Sequence, residues 1–110
     1  MIVALEDNLM FSVAIEEMAK AAGIAVAIVN TPQALAEALR QRDVTGILLD
    51  MRLVSDEVWP HLPHGVPVAA FGPHVDGAQF RQMRERGIRD VWPNSRLREQ
   101  FPRWLARLGS

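Results

Sequence analysis

The sequence predicts a doubly wound α/β domain, a parallel sheet with helices on both faces. Three observations carry that prediction. Five short apolar runs recur along the 110 residues, segments with helical apolar spacing separate them, and the runs are apolar throughout rather than alternating. Strands buried on both faces read this way, and strand–helix alternation is the pattern of a parallel sheet. A hydrophobic content of 49% supports one core in a chain too short for two, so a single domain over residues 1–110 is expected.

Each element has a local reason. Ile2 to Leu5 is a buried strand that ends in the acidic loop Glu6-Asp7-Asn8. From Leu9 to Ala22, the apolar residues Met10, Val13, Ala14, Met18 and Ala21 recur at helical spacing. Glu16, Glu17 and Lys20 lie largely opposite them, and Gly23 is placed to end the helix. Ile24 to Val29 is rich in β-branched residues and reads as the second strand. Thr31-Pro32 starts a second helix, the hydroxyl accepting an orphan amide and the proline losing no bond at the first position. That helix runs to about Arg42 on a stripe of Ala34, Leu35, Ala38 and Leu39.

Gly46 to Asp50 is the third strand. Between Arg52 and Gly65, Pro60 and Pro63 limit any helix to a turn or two around Ser55 to Trp59. Val66 to Phe71 is the fourth strand, ended by Gly72-Pro73. A helix from about Asp76 to Arg86 buries Phe80 and Met83, with Gly87 as its cap, and a short fifth strand lies within Ile88 to Trp92. The last helix carries Leu97, Phe101, Trp104, Leu105 and Leu108 on one stripe. Pro102 is expected in its first turn, which requires a late start.

In such a sheet, ligands bind beyond the carboxyl ends of the strands, where the strand order reverses. The flavodoxin-like order 2-1-3-4-5 sets strands 1 and 3 side by side, so Glu6, Asp7 and Asp50 converge. Three carboxylates at one point repel unless a cation joins them, and oxygen-only ligands suit a hard ion such as Mg²⁺. Metal-assisted phosphoryl transfer onto Asp50 is the chemistry this set supports. The alternative is a set of solvated acids capping the first helix.

Composition removes other classes. No cysteine is present, which excludes disulfides and thiolate chemistry. No apolar span approaches 18 residues and no basic leader precedes the first run, so no membrane segment and a cytoplasmic location are expected. His61, His64 and His74 could suggest a metal site, but Pro63 spoils a helical ligand pair and solvated loop histidines are preferred. Glycine-rich phosphate loops, nucleophile elbows and paired-histidine metalloprotease motifs are all missing. The net charge of −1 divides into −6 over residues 1–77 and +5 over residues 78–110.

The acidic pair Glu6-Asp7, the strand-terminal Asp50, the Val66-Pro67-Val68 start of strand 4 and Gly87-Ile88-Arg89-Asp90-Val91 leading into strand 5 together resemble the response-regulator receiver (CheY-like) family. The resemblance covers nearly the whole chain, with Asp7 and Asp50 separated by 43 positions. It implies Asp50 as phosphoacceptor, Glu6, Asp7 and Asp50 as Mg²⁺-binding acids, and Arg52 as a ligand through its backbone carbonyl. No enzyme activity beyond self-phosphoryl transfer onto Asp50 is implied.

Four departures qualify the resemblance. The Thr or Ser that receivers carry at the end of strand 4 is Gly72. The lysine after strand 5 is Asn94, 22 positions further on, and the aromatic switch residue is Val91, with Trp92 beside it. The segment between Asp50 and Pro67 is shorter than usual by roughly two helical turns, so the third helix is expected to be small or replaced by a turn. An atypical or pseudo-receiver results, in which Arg52 is either a surface residue or folds back to neutralise the acids in place of the lysine.

Receivers meet partners on the fourth helix, fifth strand and fifth helix. Arg81, Arg84, Trp92, Arg98 and Arg103 would line that face and favour an acidic signalling protein. For Trp59, Trp92 and Trp104 the competing reading is simple packing. Two further functions stay open: a receiver that still self-phosphorylates on Asp50 with Mg²⁺, and, less favoured, a nucleic-acid accessory module using the basic third. A homodimer also stays open.

Overall fold

The computed structural model describes residues 1–41 and 43–109. Five parallel strands form one sheet in the order β2-β1-β3-β4-β5. They are β1 (Ile2–Leu5), β2 (Val26–Val29), β3 (Gly46–Asp50), β4 (Val68–Gly72) and β5 (Asp90–Pro93). The helices are α1 (Leu9–Ala21), α2 (Pro32–Ala38), α3 (Gly77–Glu85) and α4 (Leu97–Leu108). The flavodoxin-like architecture expected from the sequence is the one observed. Between β3 and β4 there is no α-helix, only single 3₁₀ turns at Met51–Leu53 and Trp59–His61, as the short segment and its prolines required.

Period-two alternation divides the strand side chains between two cores. Ile2, Ala4, Leu48, Ala69, Phe71 and Trp92 pack under α1 and α4 with Ile15, Phe101, Trp104 and Leu105. Val3, Leu5, Ile47, Leu49, Ala70 and Val91 pack on the opposite face with Leu35, Met83 and Ile88. Gly46 permits the close seating of α4 on the sheet: a Cβ there would stand 2.8 Å from both Leu108 and Trp104 and 2.9 Å from Ile2. No helix among the described residues is long and apolar enough to cross a membrane.

Three helix expectations need correction. The α1 stripe is rotated from the expected one: Leu9 and Met10 are 78% and 81% exposed, and the buried residues are Ala14, Ile15 and Ala19. Phe11 decides the rotation by meeting Phe71 edge to face at 5.4 Å. Helix α2 ends at Ala38 instead of near Arg42, which lies outside the described residues. Helix α4 starts at Leu97, with Pro102 in its interior. A mid-helix proline costs about 3 kcal/mol. Burial of Leu97, Phe101, Trp104 and Leu105 offsets that cost, each buried large side chain contributing about 1.5–3 kcal/mol.

Because the space at Gly46 is already filled by three side chains, Gly46→Ala is expected to destabilise the fold by roughly 1–3 kcal/mol. Urea unfolding of the two proteins measures this, and equal midpoints would contradict the packing account.

Candidate functional site

The carboxyl ends of β1 and β3 bring three acids together. Ala4 pairs with Leu48 and Leu5 with Leu49, so Glu6 and Asp50, each one residue beyond, emerge side by side. Both are buried at 1% exposure, whereas Asp7 is exposed. Glu6 is tied locally: its Oε2 accepts the backbone amides of Asp7 at 2.9 Å and Asn8 at 3.2 Å. Asn8 then caps α1, its side-chain oxygen accepting the Phe11 amide at 3.0 Å. The capping role that competed for the acids therefore belongs to Asn8.

Arg52 closes the cluster. Its Nη2 donates to Asp50 Oδ2 at 2.7 Å, to Asp7 Oδ1 at 2.9 Å and to Glu6 Oε2 at 3.2 Å, and its Nε donates to Asp50 Oδ2 at 3.2 Å. The turn that makes this reach possible is held by Asp50 itself, whose Oδ1 accepts the Arg52 backbone amide at 3.0 Å. Of the two readings left open for Arg52, the structure takes the second, a guanidinium folded back onto the acids. Its hydrogen bonds to Asp50 and Asp7 make the guanidinium harder to deprotonate than usual.

One carboxyl is pushed far from its ordinary range. Glu6 is raised to about 8, first by burial and then by the adjoining Asp50 carboxylate, against the lowering effect of the two amides it accepts.

The donor set suits the cation expected from the sequence. The three acids offer only oxygen atoms as ligands, and Glu6 Oε1 lies buried with no hydrogen-bond partner among the described residues, an available ligand atom for a hard ion. As the side chains stand, though, no three acidic or histidine groups among the described residues are arranged to hold a metal, and the guanidinium takes the point where the carboxylates converge.

The departures expected around Asp50 are now positioned. Gly72 ends β4, and a Cβ there would meet Met51 at 2.5 Å from its Cε and 3.1 Å from its Cβ. Met51, fully buried, fills the side-chain space at that position. Val91 is buried in the core beside α3, and no hydrogen bond joins Asn94 to the acids among the described residues. Asn94 Oδ1 is buried without a partner. Sequence reasoning passed over two contributors. Met51 is the filler just described, and Gln79 of α3 donates from Nε2 to the Met51 carbonyl at 2.6 Å, fixing the turn that carries Arg52. The only prior signal was the bare Gly72 itself.

On the expected partner face, Arg81, Arg84, Arg98 and Arg103 are exposed. Arg103 stands 3.5 Å from Glu99. Trp92 is corrected to a core residue: it is 6% exposed and packs edge to face on Trp104 at 6.2 Å. Trp104 is likewise buried, and Trp59 is covered by the Arg86 guanidinium at 4.8 Å. His61, His64 and His74 are exposed.

With this geometry, the chain has the fold of response-regulator receiver domains. It is similar to the receiver domain of the sensor histidine kinase PA1611 from Pseudomonas aeruginosa PAO1, at TM-score 0.80 and 24% identity over 99% of this chain and 97% of that one. That crystal structure has a magnesium ion coordinated in its active-site cleft. A response regulator receiver protein from Burkholderia phymatum matches at TM-score 0.80 and 19% identity, over 97% of this chain and 92% of that one. The pilus assembly protein CpaE from Caulobacter crescentus CB15 matches at TM-score 0.69 and 17% identity, over 97% and 91%. No protein-family model and no curated protein matches the sequence.

The raised Glu6 has a thermodynamic consequence. The folded protein keeps a proton that the unfolded chain releases above the ordinary carboxylate value of 4.5, so stability is expected to fall as pH rises from there through about 8. Glu6→Gln should flatten that slope in melts taken across the window. An unchanged slope would assign the pH dependence elsewhere.

Proposed function

We propose that this chain is an atypical receiver-like signalling module that acts by binding a protein partner, without requiring phosphorylation of Asp50. The observation that carries the reading is that Met51 fills the side-chain space at Gly72, the position from which a receiver's hydroxyl would donate to a phosphoryl oxygen. A receiver converts phosphorylation into a rearrangement through that hydroxyl and through a lysine. Gly72 brings only backbone, and Asn94 brings no charge. Mg²⁺, held by Glu6, Asp7 and Asp50, would supply the charge that lets a phosphoryl group approach Asp50.

The basic face of α3, β5 and α4 is the favoured contact surface. Arg81 and Arg84 project from α3, and Arg98 and Arg103 from α4, onto a fold whose other two-thirds is acidic. Such a surface selects an acidic protein and associates with it in a salt-dependent way. Likeness to receiver domains supports a signalling reading over a catalytic one, and the nucleic-acid alternative finds no open stacking surface in Trp92 or Trp104, which are buried, or in Trp59, which Arg86 covers.

Affinity capture with the intact chain tests the reading. Asp50→Asn should retain the captured partner within about twofold, and a loss beyond about tenfold, 1.4 kcal/mol, would return the function to a phosphorylation switch. Incubation with acetyl phosphate and Mg²⁺ followed by intact-mass measurement addresses the alternative directly: a stoichiometric adduct on Asp50 supports the phosphoacceptor. Once a partner is in hand, Arg81→Glu with Arg84→Glu should weaken capture by at least tenfold and reduce its salt dependence. Unchanged capture would move the interface off α3.

A further inference from the structure

We propose that Arg52 sets which cation the carboxylate pocket holds: its guanidinium is the resident cation, and a free divalent ion enters only by displacing it. The proposal rests on the acids being a cation site, and it goes beyond the partner-binding reading, which it neither needs nor supports.

The first argument is stoichiometric. Nη2 has two hydrogens and three carboxylate acceptors, at 2.7, 2.9 and 3.2 Å, so it is held as a charge at the point of convergence rather than by one directed bond. A divalent ion seeking the same oxygens must take the same point. The second argument is desolvation. The Asp50 side chain is 1% exposed, so its carboxylate has exchanged hydration for the guanidinium, which reaches it through both Nη2 and Nε. An arginine pairing with exposed acids would be a weak surface contact, whereas here its departure leaves buried charge that some cation has to answer.

The third argument is tethering. Arg52 follows Asp50 by two residues, in a 3₁₀ turn pinned by the Asp50 side chain and by Gln79 on the Met51 carbonyl. The guanidinium therefore competes at a high effective concentration, while Mg²⁺ must shed waters to enter. No second base is bonded to the acids among the described residues, since the lysine position is Asn94. The pocket nevertheless has an exit. The Arg52 side chain is 41% exposed, so it can swing into solvent without the sheet or the acids moving. The buried, unpartnered Glu6 Oε1 is then the additional oxygen an incoming ion gains and the guanidinium leaves unused.

Calorimetric titration of MgCl₂ into the full chain tests this with the wild type, Arg52→Ala and Arg52→Gln. Both variants should bind Mg²⁺ at least tenfold more tightly than the wild type, and Mg²⁺ should raise their melting temperatures by more. Asp50→Asn added to Arg52→Ala should abolish that binding. Equal affinity in wild type and variants would overturn the displacement while leaving the acids as a cation site. Absence of binding in folded variants would overturn the cation site itself. Should neither variant fold, the wild type still decides: at saturating MgCl₂ the Arg52 Nε–H nuclear magnetic resonance should move to the position of a solvent-exposed arginine. An Nε–H unchanged at saturation would overturn the proposal.

Discussion

Two carboxylates, Glu6 and Asp50, are buried at the carboxyl edge of the sheet, and the structure around them is arranged to make that burial tolerable. Removing a charge from water costs several kcal/mol unless it is paired and hydrogen-bonded. Glu6 meets the demand with two backbone amides and a raised affinity for its proton, and Asp50 meets it with the Arg52 amide, Nε and Nη2. The start of α1 and the turn after β3 both take their shape from these bonds. Asn8 is set to cap α1 by the loop that Glu6 organises, and Arg52 is set over the acids by the turn that Asp50 organises.

The same edge separates the two parts of a receiver's chemistry. Three acids, Glu6, Asp7 and Asp50, converge there on the Arg52 guanidinium. At the positions where the resemblance leads one to expect a hydroxyl and a lysine stand Gly72 and Asn94, and Met51 fills the side-chain space at Gly72. A side chain at position 72 would require the Met51 side chain to shift. The centre and its filler are thus one packing solution, in which the side chain after Asp50 in sequence occupies the place where a switch residue would stand.

Much of the fold was legible from local pattern. The apolar runs, Thr31-Pro32 and the glycines after α1 and α3 act through sterics and capping that neighbouring residues determine, and Gly87 does adopt a positive φ of 89°. The failures arose where distant residues chose between local options. Met10 and Val13 satisfy helical spacing as well as Phe11, Ile15 and Ala19 do, and only the presence of Phe71 beneath α1 selects the second set. Pro102 argued for a late helix start until the apolar stripe from Leu97 onward was set against the core.

For the site, the sequence by itself determined the inventory: three acids at strand ends, Arg52 two residues after Asp50, and Gly72 and Asn94 where a hydroxyl and an ammonium would be expected. Those are matters of identity and spacing, which a chain carries whether folded or not. Tertiary structure alone decided their use. Whether Arg52 points to solvent or onto the acids depends on the separation of β1 and β3. Whether Gly72 leaves an opening or receives Met51 depends on how the turn after β3 packs against β4. Such choices follow from distances between residues far apart in sequence, and electrostatic and packing energies depend on those distances more steeply than any local pattern can encode.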